Sequence, residues 1–452
     1  MLSSQKFFYN IDLINMERKA LTIAGSDSGG GAGIQADLKT FSAFGVYGMT
    51  AITSITAQNT LEVAEIYDLP NYIIKKQIEC VVEDIGVDAC KTGMLSNERV
   101  IKVVAKTLQK YDFPIVVDPV MVAKSGAHLL KKDAIDSLIN YIIPISYVIT
   151  PNKQEAEVIS GIKINKKDDA KRAAKEIVKL GANAVIIKGG HIGKEANDLL
   201  YYKGKFIEYK GKKIKGCTHG TGCSFSAAIA ANLAKGYELK EAVKISKDFI
   251  SIAIEYGNRI GHGHCPVNPI AWLSIQAEKW KAYVELSNAV DEILSKNIVD
   301  FIPEVGMNFA YALPNARKIE DVVAIEGRIV RAGKKAIAGK VKFGSSSHLA
   351  RAILKIMEFD SNTRAVMNIR YDEKFIKKLM KEFSVSFYDR MEEPEKIRKI
   401  EGATIPWGIE KAIKRIKKVP DVIYHKGDIG KEPMILIFGK NPKDVLRKFD
   451  KL

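Results

Sequence analysis

The stretch Ala24–Asp37, AGSDSGGGAGIQAD, decides how the first half of this chain reads. It follows an apolar run, Leu21–Ala24, and leads into an amphipathic stretch, Ile34–Phe44. A strand that passes through a glycine-rich turn into a helix aims backbone N–H groups and a helix N-terminus at one point, where an anion is stabilised. The turn is near the dinucleotide fingerprint, but its GxGxxG spacing is not clean. Outward from it, further strand-like runs occur at Ile115–Val117, Tyr147–Thr150 and Ala184–Ile187. Helix-like stretches lie between them, at Tyr72–Glu83 and Glu98–Leu108. Strands that alternate with helices predict an α/β fold, a mainly parallel sheet flanked by helices. LLYY and FIEYK around KGK predict a hairpin at Leu199–Ile214, and a helix over Leu239–Tyr256 closes the unit.

The 452 residues exceed one ordinary core. After GNRIGHGHCPVNP and a helical stretch, Ile270–Leu294, a second α/β pattern begins. Its strands are expected at Val322–Ile325, Ala365–Ile369, Val422–Tyr424 and Met434–Phe438, its helices at His348–Met357, Glu373–Lys381 and Ile409–Lys417. The expected domains are therefore 17–270 and a smaller α/β domain, 271–452.

A content of 46% hydrophobic and 27% charged residues belongs to a soluble globular chain. No apolar run reaches the roughly 20 residues of a membrane span. Asp12 and Asn15 interrupt the leading apolar run, so no signal peptide is read, and residues 1–15 read either as a loose extension or as lying ahead of a true start at Met16. Five cysteines without CxxC spacing argue against zinc and predict reduced thiols and a cytoplasmic location. The net charge of +17 concentrates anions. The plainer reading is a solvated surface rich in Lys and Glu, as in heat-adapted proteins; of the candidate anions, a phosphorylated metabolite is expected and, without interleaved aromatics or an RNA-binding motif, nucleic acid is not.

Two further motifs carry chemistry. HGTGCSFSAA, His219–Ala228, runs Gly220, Thr221 and Gly222 into an apolar helix, a nest for the charge that develops in phosphoryl transfer. Cys223 falls at the helix start, where the dipole is expected to lower its thiol pKa and make it a base; a packed small cysteine is the plainer reading. In TPNKQEAE, Thr150–Glu157, Asn152 and Glu155 offer oxygen ligands of the kind Mg²⁺ accepts, or simply a helix cap and its capping-box partner.

Taken in order, the glycine turn, Ala57–Thr60 (AQNT), Lys91–Met94 (KTGM), Asp118–Gly126 (DPVMVAKSG), TPN..E, Lys188–His191 (KGGH) and HGTGC closely resemble the hydroxymethylpyrimidine and phosphomethylpyrimidine kinases, a ribokinase-like branch. The resemblance implies ATP and Mg²⁺, two successive phosphorylations of one pyrimidine, and at least a homodimer. It assigns Gln58, Asp37 and Met94 to the pyrimidine, and Gly220–Cys223 to the anion hole and base. Lys124 and Lys188 fall to the nucleotide phosphates, and Asp118, Asn152 and Glu155 to magnesium and phosphate ordering.

The C-terminal strings KFGSSSHLARAI, NIRYDE, RMEEPEK and EGAT..WG resemble the thiamin-phosphate synthase domain often fused to this kinase. This implies condensation of the pyrimidine diphosphate with thiazole phosphate. His348 and Arg328 are the expected catalytic residues and Ser345, Ser346 and Ser347 the phosphate contacts. Arg331, Lys334 and Lys342 offer further charge, and Arg370 and Arg390 offer bidentate grips or surface ion pairs. The alternative is a non-catalytic domain that senses thiamin phosphate.

Overall fold

A computed structural model describes residues 18–452 apart from 123–125, 127–128, 131–133, 190–194, 315 and 429–430. Lys124 lies outside the described residues. The chain divides into two compact units, Met1–Leu273 and Ser274–Leu452.

The first unit is built on β1 (Lys19–Ala24), β2 (Tyr47–Ile52), β3 (Ser54–Gln58), β4 (Val63–Asp68), β5 (Ala89–Thr92), β6 (Ile115–Val117), β7 (Val148–Ile149), β8 (Ala184–Ile187), β9 (Asp198–Tyr202) and β10 (Lys205–Tyr209). Eight of these strands form one sheet in the order β10-β9-β8-β7-β6-β5-β1-β2, and β3 and β4 form a separate ribbon. Pairing is parallel from β2 through β8, and the expected hairpin β9–β10 adds the antiparallel edge.

The strand periodicity of two explains the two cores. Leu21, Ile23, Ile115, Val117, Val185 and Ile187 face one side, against α2 (Asn71–Cys80), α3 (Glu98–Leu108), α5 (Lys153–Ser160) and α6 (Lys167–Lys179), with the short α4 (Ile135–Ser137) nearby. Ala20, Val116, Val148, Ala184 and Ile186 face the other, against α1 (Gly33–Ala43), α7 (Thr221–Ala234) and α8 (Leu239–Glu255). Full burial of each such aliphatic contributes roughly 1.5–3 kcal/mol. Helix α7 is apolar almost all round because it lies between the sheet, α1 and α8. That packing fixes its N-terminus, the HGTGC motif, beside the C-terminal ends of the parallel strands.

In the second unit, α9 (Ala271–Leu294) precedes β11 (Asn308–Ala312), β12 (Val322–Ile325), β13 (Ile329–Ala332), β14 (Lys335–Ala338), β15 (Val341–Phe343), β16 (Ala365–Arg370), β17 (Val385–Phe387), β18 (Val422–His425) and β19 (Met434–Gly439). The main sheet runs β15-β12-β11-β16-β19-β18-β17, antiparallel except for β17–β18. Helices α10 (Ser347–Met357) and α13 (Thr404–Ile416) cover one face. Helices α9, α11 (Glu373–Leu379) and α14 (Pro442–Phe449) cover the other, and α12 (Glu395–Arg398) is a single turn. The C-terminal ends of β12, β16, β17 and β18 all point the same way. Arg328 and Arg390, in the connections after β12 and β17, and Arg370, at the close of β16, lie at that end, whereas Gly344–Ser346 follows the oppositely directed β15.

Candidate functional sites

In the first unit, two glycine loops are pressed together. Gly220 has φ +79°, and a Cβ there would lie 1.8 Å from the Gly31 carbonyl oxygen. A Cβ on Gly31 would lie 2.4 Å from the His219 ring. Only glycine allows this approach. Asp27 ties the loops: its carboxylate accepts the N–H groups of Gly29, Gly31 and Ala32 at 2.8, 3.0 and 2.7 Å and meets His219 Nε2 at 3.2 Å. Burial works to raise the Asp27 pKa, but the His219 contact and these N–H donors outweigh it and hold the carboxyl below its ordinary value.

The loops bound a cavity of about 800 Å³ whose walls include Gln58, Met94, Asp118, Asn152, Glu155, Lys188 and Gly220–Cys223. Lys188 Nζ lies 3.0 Å from Asp118 Oδ1 and 4.0 Å from Glu155 Oε2. A Cβ on Gly222 would lie 3.4 Å from both Asp118 Oδ2 and Lys188 Nζ, so this cluster abuts the α7 N-terminus. Asn152 and Glu155 do form a capping box: Asn152 N–H donates to Glu155 Oε2 at 2.7 Å, and Glu155 N–H to Asn152 Oδ1 at 3.0 Å. They line the cavity as well, so the structural and chemical readings coexist. Burial first, then Asp118, pushes Glu155 up to about 7, against the pull of Lys188.

Asp37 stands one layer behind the wall. It is fully buried, and its Oδ2 accepts Thr22 Oγ1 at 2.7 Å and Lys91 Nζ at 2.8 Å. The group this pair presents to the cavity is Lys91. Burial would lower the Lys91 pKa, but Asp37, Cys223 and Asp118 hold the ammonium charged. Lys91 is a site residue that sequence reasoning passed over, as are Asp27 and His219. The signal for Lys91 was available: a lysine inside the otherwise apolar DACKTGM run.

Two expectations about cysteines are corrected. Cys223 does sit at the start of α7, yet its thiol is pushed up to about 11, because burial and the nearby Asp37 and Asp118 outweigh Lys91 and the Gly33 N–H. The helix N-terminus does not by itself make it a thiolate. Nor are all five cysteines reduced: Cys217 and Cys265 form a disulfide across a sequence separation of 48. The His219–Pro266 bridge, with His219 N–H donating to Cys265 O at 3.2 Å, lays the two segments side by side. Spacing rules for neighbouring cysteines cannot reveal a pair brought together this way.

In the second unit, Gly344–Ser346 turns into α10. Ser346 has φ +52° and Arg328 φ +70°, left-handed backbone that side chains adopt at a cost and that recurs at functional sites. Arg328 donates to Val305 O. His348 keeps contact with solvent at the mouth of this region, where partial desolvation first, then Arg328, Arg390, Arg351 and Lys431, hold its imidazole down to about 4. It is therefore a neutral group at pH 7 among cations. Two other expected cations are engaged: Arg331 donates to Ile302 O at 2.8 Å and Lys342 pairs with Glu326 at 2.7 Å. Arg370 makes a loose surface pair with Asp372, whereas Arg390 is buried. Arg351, Lys431 and the buried His425 belong to this cluster and were not singled out from sequence.

A ribokinase-like sheet whose glycine loops face a buried lysine and a carboxylate–lysine cluster defines a small-molecule kinase. Comparison with known proteins fixes the family. Residues 27–268 match the model of phosphomethylpyrimidine kinase, and residues 285–451 that of thiamine-phosphate synthase ThiN. The bifunctional thiamine biosynthesis protein ThiDN of Methanocaldococcus jannaschii is 36% identical over 434 residues, 95% of this chain and 97% of that protein. The hydroxymethylpyrimidine/phosphomethylpyrimidine kinase of Bacillus subtilis is 48% identical over 258 residues, 56% of this chain and 95% of its own length. Among solved structures, an ADP complex of Bacillus subtilis pyridoxal kinase superposes with TM-score 0.53 at 42% identity, covering 56% of this chain and 98% of that one. The Staphylococcus aureus pyridoxal kinase with AMP-PCP and pyridoxal gives TM-score 0.52 at 39% identity, over 56% and 94%. The chain belongs to the phosphomethylpyrimidine kinase family, in the bifunctional form that also carries a thiamin-phosphate synthase domain. It is an enzyme of thiamin biosynthesis with both activities. Among the described residues no helix is long and apolar enough to cross a membrane.

Proposed function

We propose that the first unit uses ATP to phosphorylate 4-amino-5-hydroxymethyl-2-methylpyrimidine twice in one pocket, and that the second unit condenses the resulting diphosphate with thiazole phosphate, giving thiamin phosphate and pyrophosphate. The observation that carries the first half is the meeting of Gly220–Cys223, Asp118, Lys188 and Lys91 around one cavity. The N–H groups at the start of α7 and the Lys188 ammonium stabilise charge on the transferring phosphoryl group without reorganising. Gln58 and Met94 hold the pyrimidine, one through its amide and one through its thioether face.

For the first transfer the Cys223 thiolate, which the charged Lys91 favours against burial, accepts the hydroxymethyl proton and becomes the thiol. The second acceptor is already an anion and needs only placement. Asp118 and Glu155 suit Mg²⁺ through hard oxygen donors, few enough that phosphate and water complete its shell. When bound, the ion neutralises charge on the phosphoryl oxygens. Among the described residues no group of three or more acidic, His or Cys side chains offers a fuller metal cage.

In the second half the thiazole nitrogen attacks the pyrimidine methylene as diphosphate leaves. Arg328 and the Ser345–Ser347 turn face the leaving charge, and neutral His348 supplies a hydrogen bond to it. We read the working enzyme as a cytoplasmic homodimer or larger assembly, a point light scattering decides. One reaction tests the whole reading: purified chain, ATP, Mg²⁺, hydroxymethylpyrimidine and thiazole phosphate, assayed for thiamin phosphate. Accumulation of the pyrimidine diphosphate without thiamin phosphate would leave the second unit as a sensor.

A further inference from the structure

The second unit buries three polar groups that its own fold leaves unsatisfied. Tyr388, Arg390 and Glu393 are 2%, 9% and 6% exposed. Tyr388 Oη, Arg390 Nε and Glu393 Oε1 nevertheless have no hydrogen-bond partner. An unpaired buried polar atom is costly, so three in one short segment require an explanation. Only the second oxygen of Glu393, Oε2, is engaged, 3.8 Å from Arg390 Nη2.

Aromatic rings flank Tyr388. The Tyr388 ring lies 5.1 Å from that of His425 and 6.1 Å, edge-on, from that of Trp407. Gly408 makes room for it: a Cβ there would lie 2.5 Å from the Tyr388 ring. Arg390 in turn acts electrostatically on His348 and His425, which joins this segment to the cationic cluster of the expected synthase site.

The free atoms define their ligand. They are an anionic acceptor, a hydroxyl and an N–H donor. A phosphate presents only acceptors, and Glu393 Oε1 would repel it. A thiazole carries no N–H to offer that oxygen. A 4-aminopyrimidine edge presents an amine donor beside a ring nitrogen acceptor, on a flat ring suited to aromatic neighbours. We propose that Tyr388 and Glu393 form the subsite that recognises the aminopyrimidine ring of the condensation substrate, the Glu393 carboxylate accepting from the exocyclic amine and the Tyr388 hydroxyl donating to the adjacent ring nitrogen. Arg328 and His348 are left for the phosphate end. This inference rests on the reading of the second unit as a synthase and adds to it the residues that read the pyrimidine.

The test uses the full chain without ATP, so the kinase is idle, with prepared pyrimidine diphosphate and thiazole phosphate. If the unaltered chain makes no thiamin phosphate, the synthase reading fails and this subsite with it. If it does, Glu393→Gln and Tyr388→Phe raise KM for the pyrimidine diphosphate about 10- to 100-fold, the loss of one hydrogen bond to a charged or buried partner, and leave KM for thiazole phosphate within about twofold. An unchanged pyrimidine KM, or a thiazole KM that moves instead, overturns the subsite alone. A second measurement needs no variant to fold. The phosphate-free ring 4-amino-2,5-dimethylpyrimidine should inhibit condensation competitively against the pyrimidine diphosphate, and 2,5-dimethylpyrimidine should not. Equal inhibition by both, or none by either, also overturns it.

Discussion

At the scale of single residues, burial sets the proton affinity of the groups that do the chemistry. Cys223 rests as a thiol held up to about 11 by burial, with the charged Lys91 as its counterweight. The thiolate fraction therefore grows with pH throughout the working range. The first phosphorylation, of a neutral hydroxyl, is expected to rise up to ~tenfold per pH unit in single-turnover experiments, and the second to stay nearly flat. Cys223→Ala should flatten that slope and slow the first transfer by about 10²–10⁴, with a much smaller effect on the second. Equal losses in both steps would make Cys223 a wall residue. Glu155 gives a stability test with a definite sign. Its folded pKa of about 7 lies above the ordinary 4.5, so between those values the native state holds a proton that the unfolded chain has released. The stability is fully present below about pH 4.5 and is lost as pH rises to 7, on the order of 1–3 kcal/mol. Glu155→Gln stays neutral and can still accept the Asn152 N–H. It should raise the first unit's thermal midpoint at pH 8, remove that pH slope and impair phosphoryl transfer; a midpoint at pH 8 that does not move would mean that Lys188 already compensates the carboxylate. Most of this site was legible as residue types in ordered motifs. The pKa directions were not, because they depend on neighbours far away in sequence: Lys91 and Asp37 are 54 residues apart and Asp118 and Lys188 are 70 apart.

At the scale of elements, the glycine loop before α1 and the loop before α7 act as one part. Gly31 and Gly220 let the two loops touch, and Asp27 and His219 fasten them. The disulfide Cys217–Cys265 lies just outside this clasp and closes a long loop that contains α7 and α8. Constraint of the unfolded chain by a loop of that size contributes about 4 kcal/mol in the chain-entropy picture. Cys217→Ser with Cys265→Ser, or a dithiol reductant, should lower the first unit's unfolding midpoint in a calorimetric scan and leave the second unit's transition in place. No shift on reduction would show that the pair is open in solution. The same comparison shows what a sequence pattern carries. Ile115–Val117, Ala184–Ile187 and Glu98–Leu108 were readable to the residue, since buried runs and an amphipathic helix have their own periodicity. The β3–β4 ribbon and β2 were not, because their mixed burial follows neither pattern cleanly. The second sheet read as α/β from its helices, but its almost wholly antiparallel pairing is set by connections that single strands do not reveal.

At the scale of the whole molecule, each unit owns its cores. The first buries one cluster on either face of its sheet, and the second does the same. Separate cores predict that the two activities are separable by mutation. A chain carrying Cys223→Ala should still condense supplied pyrimidine diphosphate with thiazole phosphate. A chain carrying His348→Ala should still phosphorylate the pyrimidine and should release its diphosphate. Neither alone should carry hydroxymethylpyrimidine through to thiamin phosphate at the normal rate. Mixed in equal amounts, with ATP and Mg²⁺, they should make thiamin phosphate after a lag while the diphosphate accumulates, because the intermediate is a small soluble anion that can leave one chain and enter another. Covalent linkage raises the local concentration of that intermediate but does not enforce transfer within one chain. The lag and its dependence on total protein measure how much linkage matters. A mixture that stays silent, although each chain keeps its own half-reaction, would mean that the intermediate passes only between sites of one polypeptide, and the independence of the two units would then have to be abandoned.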